Sequence, residues 1–129
     1  MNDMPDFHDG FFDGLRISDP KMVHVFLRTA DKRPFTLVLH GVKLMNVSNV
    51  RQGNIILDLV LLNAQQVTAA HIEELYEVVG VQRIEQVERL LASARQEGLS
   101  VLDMSASYGA EGIALFSRAE FRANHIGSE

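Results

Sequence analysis

Cysteine is absent from this chain of 129 residues, and proline occurs only three times. The absence of cysteine excludes disulfide bonds, iron–sulfur clusters, thiol nucleophiles and every zinc site that is built on cysteine. Disulfide bonds belong to oxidising compartments, so a chain without cysteine fits a reducing one. We therefore expect a cytoplasmic protein.

Long apolar runs are absent as well. The longest spans residues 55–62 and is interrupted by Asp58, whereas a helix needs about 20 apolar residues to cross a bilayer. The first ten residues carry three aspartates and no lysine or arginine, which is unlike a signal peptide. We expect no association with a membrane.

Basic residues are few and scattered. The chain has 12 Lys and Arg against 17 Asp and Glu, a formal net charge of −5, and Lys32-Arg33 is the only adjacent basic pair. An acidic protein repels phosphate backbones unless its bases gather on one face. The sequence therefore predicts no nucleic-acid partner.

What the chain contains is typical of a globular domain, with 47% hydrophobic and 22% charged residues. Its length predicts a single domain over residues 1–129, with an ordered core from about residue 7 to about residue 122. Stretches rich in β-branched and large apolar residues predict strands over residues 12–18, 22–28, 35–46, 55–62, 99–105 and 111–117, and in an alternative the last of these extends to residue 121. Gly41 predicts a bulge or bend in the third strand. The fourth strand is apolar on both faces, which predicts cover on both sides.

The hydrophobic period changes in the segment 68–97, where two helices are predicted. Thr68 is placed to cap a helix over residues 69–79, and a second helix over residues 82–96 ends before Gly98. The inward-facing side chains of these helices include Ile72, Tyr76, Val79, Ile84, Val87, Leu91 and Ala94. We therefore expect an α+β domain: a mostly antiparallel, curved sheet of about six strands, with a two-helix insert before the last two strands.

Three segments of the β part carry a resemblance: residues 7–10 (Phe-His-Asp-Gly), 53–58 (Gly-Asn-Ile-Ile-Leu-Asp) and 107–110 (Ser-Tyr-Gly-Ala). Together they resemble a loose group of small uncharacterised bacterial proteins, some of them domains of unknown function and others immunity-like proteins. The helical insert carries none of the resemblance. The resemblance implies a compact bacterial domain, and it implies no reaction and no site residues.

His8, Asp9 and Asp13 are the candidate metal ligands near the start of the chain. The adjacent His8-Asp9 is similar to the His-Asp pair of metal-dependent phosphohydrolases, which need further ligands on a helical scaffold. Asp9 and Asp13, each followed by glycine, are also candidate calcium ligands, although calcium takes about six to eight oxygens. Because Asp-Gly steps favour tight turns, the simpler interpretation is that both aspartates organise turns.

Four polar residues lie between large apolar neighbours in the predicted strands: His24, His40, Asp58 and Asp103. Burying a charged group without a partner is costly, so each of them either faces solvent or has a partner. A set of partners among them would form a structural network or a site. For Asp58, we expect partial burial and a hydrogen-bond partner, because its strand is predicted to be covered on both faces.

His24 and His40 are expected on the same face of the hairpin formed by the second and third strands. If Arg28 pairs with Thr36, the two histidines lie directly opposite each other, and a register shifted by two residues makes the pair diagonal. Two neighbouring imidazoles resist double protonation, so the pKa of at least one should be lowered.

No nucleophile elbow, Walker loop or dinucleotide-binding glycine motif occurs in the sequence, and no cofactor is predicted. The interpretation that follows is a non-catalytic binding or protein-interaction module, with a protein partner or a second copy of itself. Phe7, Phe11 and Phe12 crowd near one end, and aromatic residues are enriched at interfaces. The alternative is a small metal-dependent enzyme or metal-binding protein that uses the candidate ligands named above.

Overall fold

The computed structural model describes residues 4–18, 21–76 and 83–124. Within these ranges the strands are β1 Phe11–Ser18, β2 Met22–Arg28, β3 Pro34–His40, β4 Leu44–Ser48, β5 Asn54–Leu62, β6 Ser100–Tyr108, β7 Glu111–Phe116 and β8 Arg118–Ala123. The helices are α1 Ala69–Tyr76 and α2 Arg83–Gln96, with a short 3₁₀ turn at Ala64–Gln66. The expected α+β class with an antiparallel sheet and two helices is confirmed. Neither helix in these ranges is long and apolar enough to span a bilayer.

The sheet has eight strands rather than about six, because two long strands each bend. The third predicted strand divides at Gly41 into β3 and β4, which confirms the bend expected there. Gly41 has φ +64°, a left-handed conformation that glycine adopts without strain. The last predicted strand divides at Ser117 into β7 and β8. The Ser117 amide donates to the His40 carbonyl at 2.9 Å, so the two bends lie side by side.

Two four-stranded halves make up the sheet, whose strand order is β4-β7-β6-β5-β1-β2-β3-β8. In the middle of this order, only two residue pairs join β5 to β1: Phe11 with Ile55 and Phe12 with Asn54. The chain passes from one half to the other at the two bends, from β3 to β4 and from β7 to β8. The halves therefore curl over to face each other.

The main core lies between the two halves. Val25 and Leu27 of β2 face inward and are buried, and Leu102 and Met104 of β6 belong to the same buried cluster. In β2 the inward residues alternate with half-buried outward ones, as expected for a strand with one face in the core.

Phe7 fills one end of this core from the segment before β1. Its ring centroid lies 5.8 Å from that of Phe35, edge-on, and 5.8 Å from that of Phe121, nearly parallel. Phe12 is buried in the same cluster. Phe7 and Phe12, two of the aromatic residues that suggested an interface, are therefore part of the core.

The helices pack on the outer face of the half that contains β4, β7 and β6. The predicted contacts that are confirmed are Ile72, Tyr76, Val87, Leu91 and Ala94. The prediction for Ile84 is wrong, because this side chain is 73% exposed. Val79 lies outside the described residues.

Thr68 lies at the start of α1, as the sequence predicts, and His71 completes the cap. The Thr68 carbonyl accepts a hydrogen bond from the Ile72 amide at 3.3 Å, and the Thr68 amide donates to Nδ1 of His71 at 2.9 Å. The contact from His71 is one half of a capping box, with histidine in the place of the usual Glu or Gln. Gly98 follows α2 at the expected C-cap position.

The outer face of β5 is exposed, which corrects the expectation that this strand is covered on both sides. The pairing of β5 with β6 shifts register between Ile56 and Asp58, so the alternation of inward and outward residues slips there. Leu57 and Asp58 are both exposed as a result. The prediction that Asp58 is at least partly buried is therefore wrong. The helices cover the neighbouring strands and leave the middle of β5 outside.

Candidate functional site

The sheet is open between β1 and β4. In the described chain, residues 14–18 of β1 pair with β2 alone, because β5 reaches only Phe11 and Phe12. β4 pairs with β7 alone. Each strand therefore has one edge without a strand partner. Such edges present N–H and C=O groups that can pair with another chain.

An open groove of about 640 Å³ lies at this gap, within the range of roughly 300–1,000 Å³ that is usual for ligand sites. A smaller apolar recess beside it reaches into the core. We call the two together the β1–β4 groove. Its apolar wall includes Leu15, Ile17, Val23, Val42, Met45 and Val47, and its polar residues are Ser18, Lys21 and Lys43.

Ile17 marks the part of this groove that no described residue covers. It pairs with Val23 across β1 and β2, and directly opposite residues of an antiparallel pair share a face. Val23 is 3% exposed and packs in the core, whereas Ile17 is 72% exposed. Ile17 therefore lies on the inner face of the sheet, and it is exposed because none of the described strands pairs with this part of β1 on that side.

The two strands run in opposite directions along the groove. Ile17, near the end of β1, lines it together with Met45 at the start of β4. Phe12, near the start of β1, lines the recess together with Val47 near the end of β4. A strand placed between them would consequently be parallel to one and antiparallel to the other.

One end of the groove carries two lysines, and we call it the lysine end. The Val42 amide donates to the Lys21 carbonyl at 3.0 Å, which ties the β1–β2 turn to the bend before β4. The side chain of Lys43 forms an ion pair with Glu97, with Nζ 3.3 Å from Oε1 and both side chains about half exposed. Exposed pairs contribute about 0–1 kcal/mol, so Lys43 can exchange this partner for a ligand.

Asn54 lies at the other end of the β1–β4 groove, where its side chain joins several segments. The sequence did not single out this residue. Its buried Oδ1 accepts hydrogen bonds from the amides of Arg51 (2.7 Å) and Ala110 (2.9 Å). Its Nδ2 donates to the carbonyls of Arg51 (2.7 Å) and Phe12 (3.3 Å). One side chain thereby joins β1, the loop before β5 and the turn before β7. The available signal was an Asn directly after Gly53 at a strand start.

Of the candidate metal ligands, His8 and Asp9 lie beside each other, whereas Asp13 is paired with Arg28. Nδ1 of His8 donates to the Leu57 carbonyl at 2.6 Å, and its Nε2 lies 3.6 Å from Oδ2 of Asp9. Asp13 accepts two hydrogen bonds from Arg28, at 2.6 Å from Nε and 2.9 Å from a terminal nitrogen. Among the residues whose positions are described, no three His, Asp or Glu side chains are grouped to hold a metal ion.

His8 therefore connects the segment before β1 to β5. The Leu57 carbonyl raises the pKa of His8, because it accepts a hydrogen bond from the ring, and the neighbouring charge of Asp9 raises it further. Asp9 itself has φ +62° and sits in a turn in which the Gly10 amide donates to the Phe7 carbonyl at 2.8 Å. The turn expected at this Asp-Gly step is confirmed.

His24 and His40 share the outer face of the β2–β3 hairpin, as expected. Their relative position is diagonal, because β2 and β3 pair Arg28 with Pro34 and not with the residue two positions later. The directly opposite arrangement is therefore wrong. The loop 29–33 is short, and it leaves proline as the first residue of β3, a position that tolerates the missing N–H.

Burial lowers the pKa of His24, and the charges of Arg16, Arg122 and His40 lower it further. Its Nδ1 is buried without a hydrogen-bond partner in the described part of the chain. The expected lowering of at least one histidine pKa is confirmed, with burial and not the second histidine as its main cause.

His40 belongs to an ion-pair network on the same face. Its Nε2 lies 2.8 Å from Oε1 of Glu120, while Nε of Arg122 donates to Oε2 of Glu120 at 3.1 Å. Arg122 first and His40 second lower the pKa of Glu120 to about 2. His40 therefore has a charged partner, and this partner is Glu120 and not another of the four polar strand residues.

Asp103 lies beside α1, where Oδ2 is 3.8 Å from Nε2 of His71. Nδ1 of His71 accepts the hydrogen bond from Thr68, so the ring proton of the neutral form sits on Nε2 and faces Asp103. Burial raises the pKa of nearby Glu74, and the charges of Asp103 and Glu111 raise it further. Asp103 therefore links the helix cap to the sheet.

No known protein family, no curated protein and no solved structure matches the chain. The resemblance to small bacterial proteins thus stays a prediction.

Proposed function

We propose that the protein is a non-catalytic interaction module that binds an extended polypeptide segment in the β1–β4 groove. The observation that carries the proposal is the pair of strand edges on either side of an apolar wall. A segment inserted there would pair with β1 on one side and β4 on the other. Addition of a strand to an open sheet edge is a recurring mode of peptide recognition.

The unpaired backbone favours a polypeptide over another apolar ligand. An acyl chain or a small hydrophobic molecule would cover Ile17, but it would also shield the free N–H and C=O groups of both strands from water. Each group left unpaired in this way costs about 1–3 kcal/mol. An extended peptide pairs these groups and directs every second side chain towards Ile17 and Met45.

The proposal retains the protein partner expected from the sequence. A chain without cysteine is suited to a partner in a reducing compartment, and we place the interaction in the cytoplasm. Bacterial origin remains part of the proposal through the resemblance alone.

Selection of binders from a phage-displayed library of random 12-residue peptides tests the proposal. We expect enrichment of peptides with alternating apolar residues. The variant Ile17→Asp, which places a charge on the inner face of the groove, should weaken their binding at least about tenfold. Ile84→Asp is the matched control, because Ile84 is equally exposed but lies on α2, and it should bind like the parent protein.

Two results would overturn the proposal. One is the absence of enriched peptides, or enrichment of peptides that bind the Ile17→Asp and parent proteins equally. The other is a dimer in sedimentation equilibrium that dissociates in Ile17→Asp and not in Ile84→Asp. That second result would show that another copy of the chain fills the groove.

A further inference from the structure

We infer the direction of the bound segment: it runs antiparallel to β4 and parallel to β1, with its carboxyl end at the lysine end. This inference rests on the proposed function and adds the chemistry of the partner, which is an extended segment that ends in a free terminal carboxylate.

The arrangement of β1 and β4 leaves two possible orientations for the bound segment. β1 ends and β4 begins at the lysine end, so the strands are antiparallel along the groove. An inserted segment is either parallel to β1 and antiparallel to β4, or the reverse. The first orientation brings its carboxyl end to Lys21 and Lys43, and the second brings its amino end there.

Charge selects between these orientations. Lys21 and Lys43 both line this end of the groove, and no Asp or Glu is among the described residues that line it, although Glu97 forms the exposed ion pair with Lys43. Two lysine ammonium groups attract a carboxylate and repel the ammonium of a free amino terminus. The attraction is moderate because the site is open to solvent, and it falls as salt screens the charges.

The terminal carboxylate of the partner chain is the group that fixes this direction. An Asp or Glu side chain close to the lysine end would be attracted there in either orientation, so a side chain does not select a direction. Peptide variants separate the two.

Four synthetic forms of a selected peptide test the inference: the free acid, the carboxyl-terminal amide, the form with its acidic side chains near that end changed to amides, and the doubly modified form. Fluorescence anisotropy gives the affinity of each. We expect the carboxyl-terminal amide to bind about three- to tenfold more weakly than the free acid at low salt, with a smaller difference at 1 M salt. A loss of affinity only in the form with changed acidic side chains overturns the inferred direction.

Lysine variants connect this loss to the groove. In the double variant Lys21→Gln with Lys43→Gln, the difference between the peptide forms should disappear. Lys32→Gln is the matched control, because Lys32 is the third lysine of the chain and lies in the β2–β3 loop outside the groove. It should leave the difference unchanged.

A nitroxide label on the peptide shows the direction of the bound segment independently of the affinity measurements. A label at the carboxyl end should broaden the amide signals of Ser18 and Lys43, and a label at the amino end should broaden that of Ser48. The reverse pattern, or equal affinity of all four forms, overturns the inferred direction and leaves the proposed function intact. A peptide that broadens no groove residue from either end overturns the proposed function itself.

Discussion

Single buried polar side chains connect strands and loops of this protein through hydrogen bonds. Asn54 satisfies all its buried hydrogen-bonding atoms with backbone groups of three segments. His24 is different, because its buried Nδ1 has no partner in the described chain and the charges around it are mainly positive. An amide side chain does not titrate, whereas an imidazole in such surroundings makes the free energy of unfolding depend on pH.

Acid should destabilise the protein partly through His24. Its pKa is lowered in the folded state, so the unfolded chain binds the proton more tightly. The free energy of unfolding therefore falls as the pH drops below the ordinary histidine pKa of about 6.5. His24→Gln should lose less stability than the parent protein between pH 7 and pH 5, as measured by urea denaturation at each pH.

His8→Gln is the control of opposite sign. The pKa of His8 is raised in the folded state, so protonation of His8 favours the folded chain and its contribution is lost as the pH rises through that pKa. Removing it should make the loss of stability on acidification larger. Identical pH dependence in His24→Gln and the parent protein would show that the lowered pKa of His24 does not affect folding.

The helical insert is held on the sheet by its apolar face. α1 and α2 pack on the outside of β4, β7 and β6 through a second apolar cluster, separate from the core between the halves. Ile72 of α1 is fully buried in this cluster, whereas Ile84 near the start of α2 is mostly exposed. The periodicity alone placed both isoleucines on inward faces, because a helical pattern does not show where the sheet beneath a helix ends.

The same substitution at these two positions should have different effects. Ile72→Ala removes buried methyl and methylene groups and should lower the free energy of unfolding by about 2–5 kcal/mol. Ile84→Ala should change it by less than about 0.5 kcal/mol. Urea denaturation followed by circular dichroism measures both, and a small effect of Ile72→Ala would show that α1 does not contribute to the folded core.

The relative position of the two half-sheets depends on the point where the two long strands bend. Gly41 and Ser117 lie against each other there: a Cβ at Gly41 would be 2.5 Å from Oγ and 3.0 Å from Cβ of Ser117. Both connections between the half-sheets pass through this point. Any displacement here moves the two halves relative to each other.

Gly41→Ala should therefore destabilise the protein more than a conformational penalty explains. A left-handed φ costs a non-glycine residue about 1–2 kcal/mol, and overpacking adds about 1–3 kcal/mol. Gly53→Ala is the matched control, because Gly53 has φ +72° but open space around a Cβ. Adding Ser117→Gly should recover part of the loss in Gly41→Ala, in chemical denaturation. Equal effects of the two alanine variants would contradict the close contact.

Features that depend on neighbouring residues follow from the amino-acid sequence: most strand positions, both helices, the bend at Gly41 and the exclusion of cysteine chemistry. Hydrophobic period and turn residues act over a few positions, so they can be recognised without knowing the fold. Contacts between distant segments set the diagonal register of His24 and His40, the exposure of Asp58 and the β1–β4 groove. In the sequence, Ile17 alternates with polar neighbours like any strand residue. It lines the proposed site because strand edges distant in the chain pair with each other or remain open, and no local pattern shows which of them do.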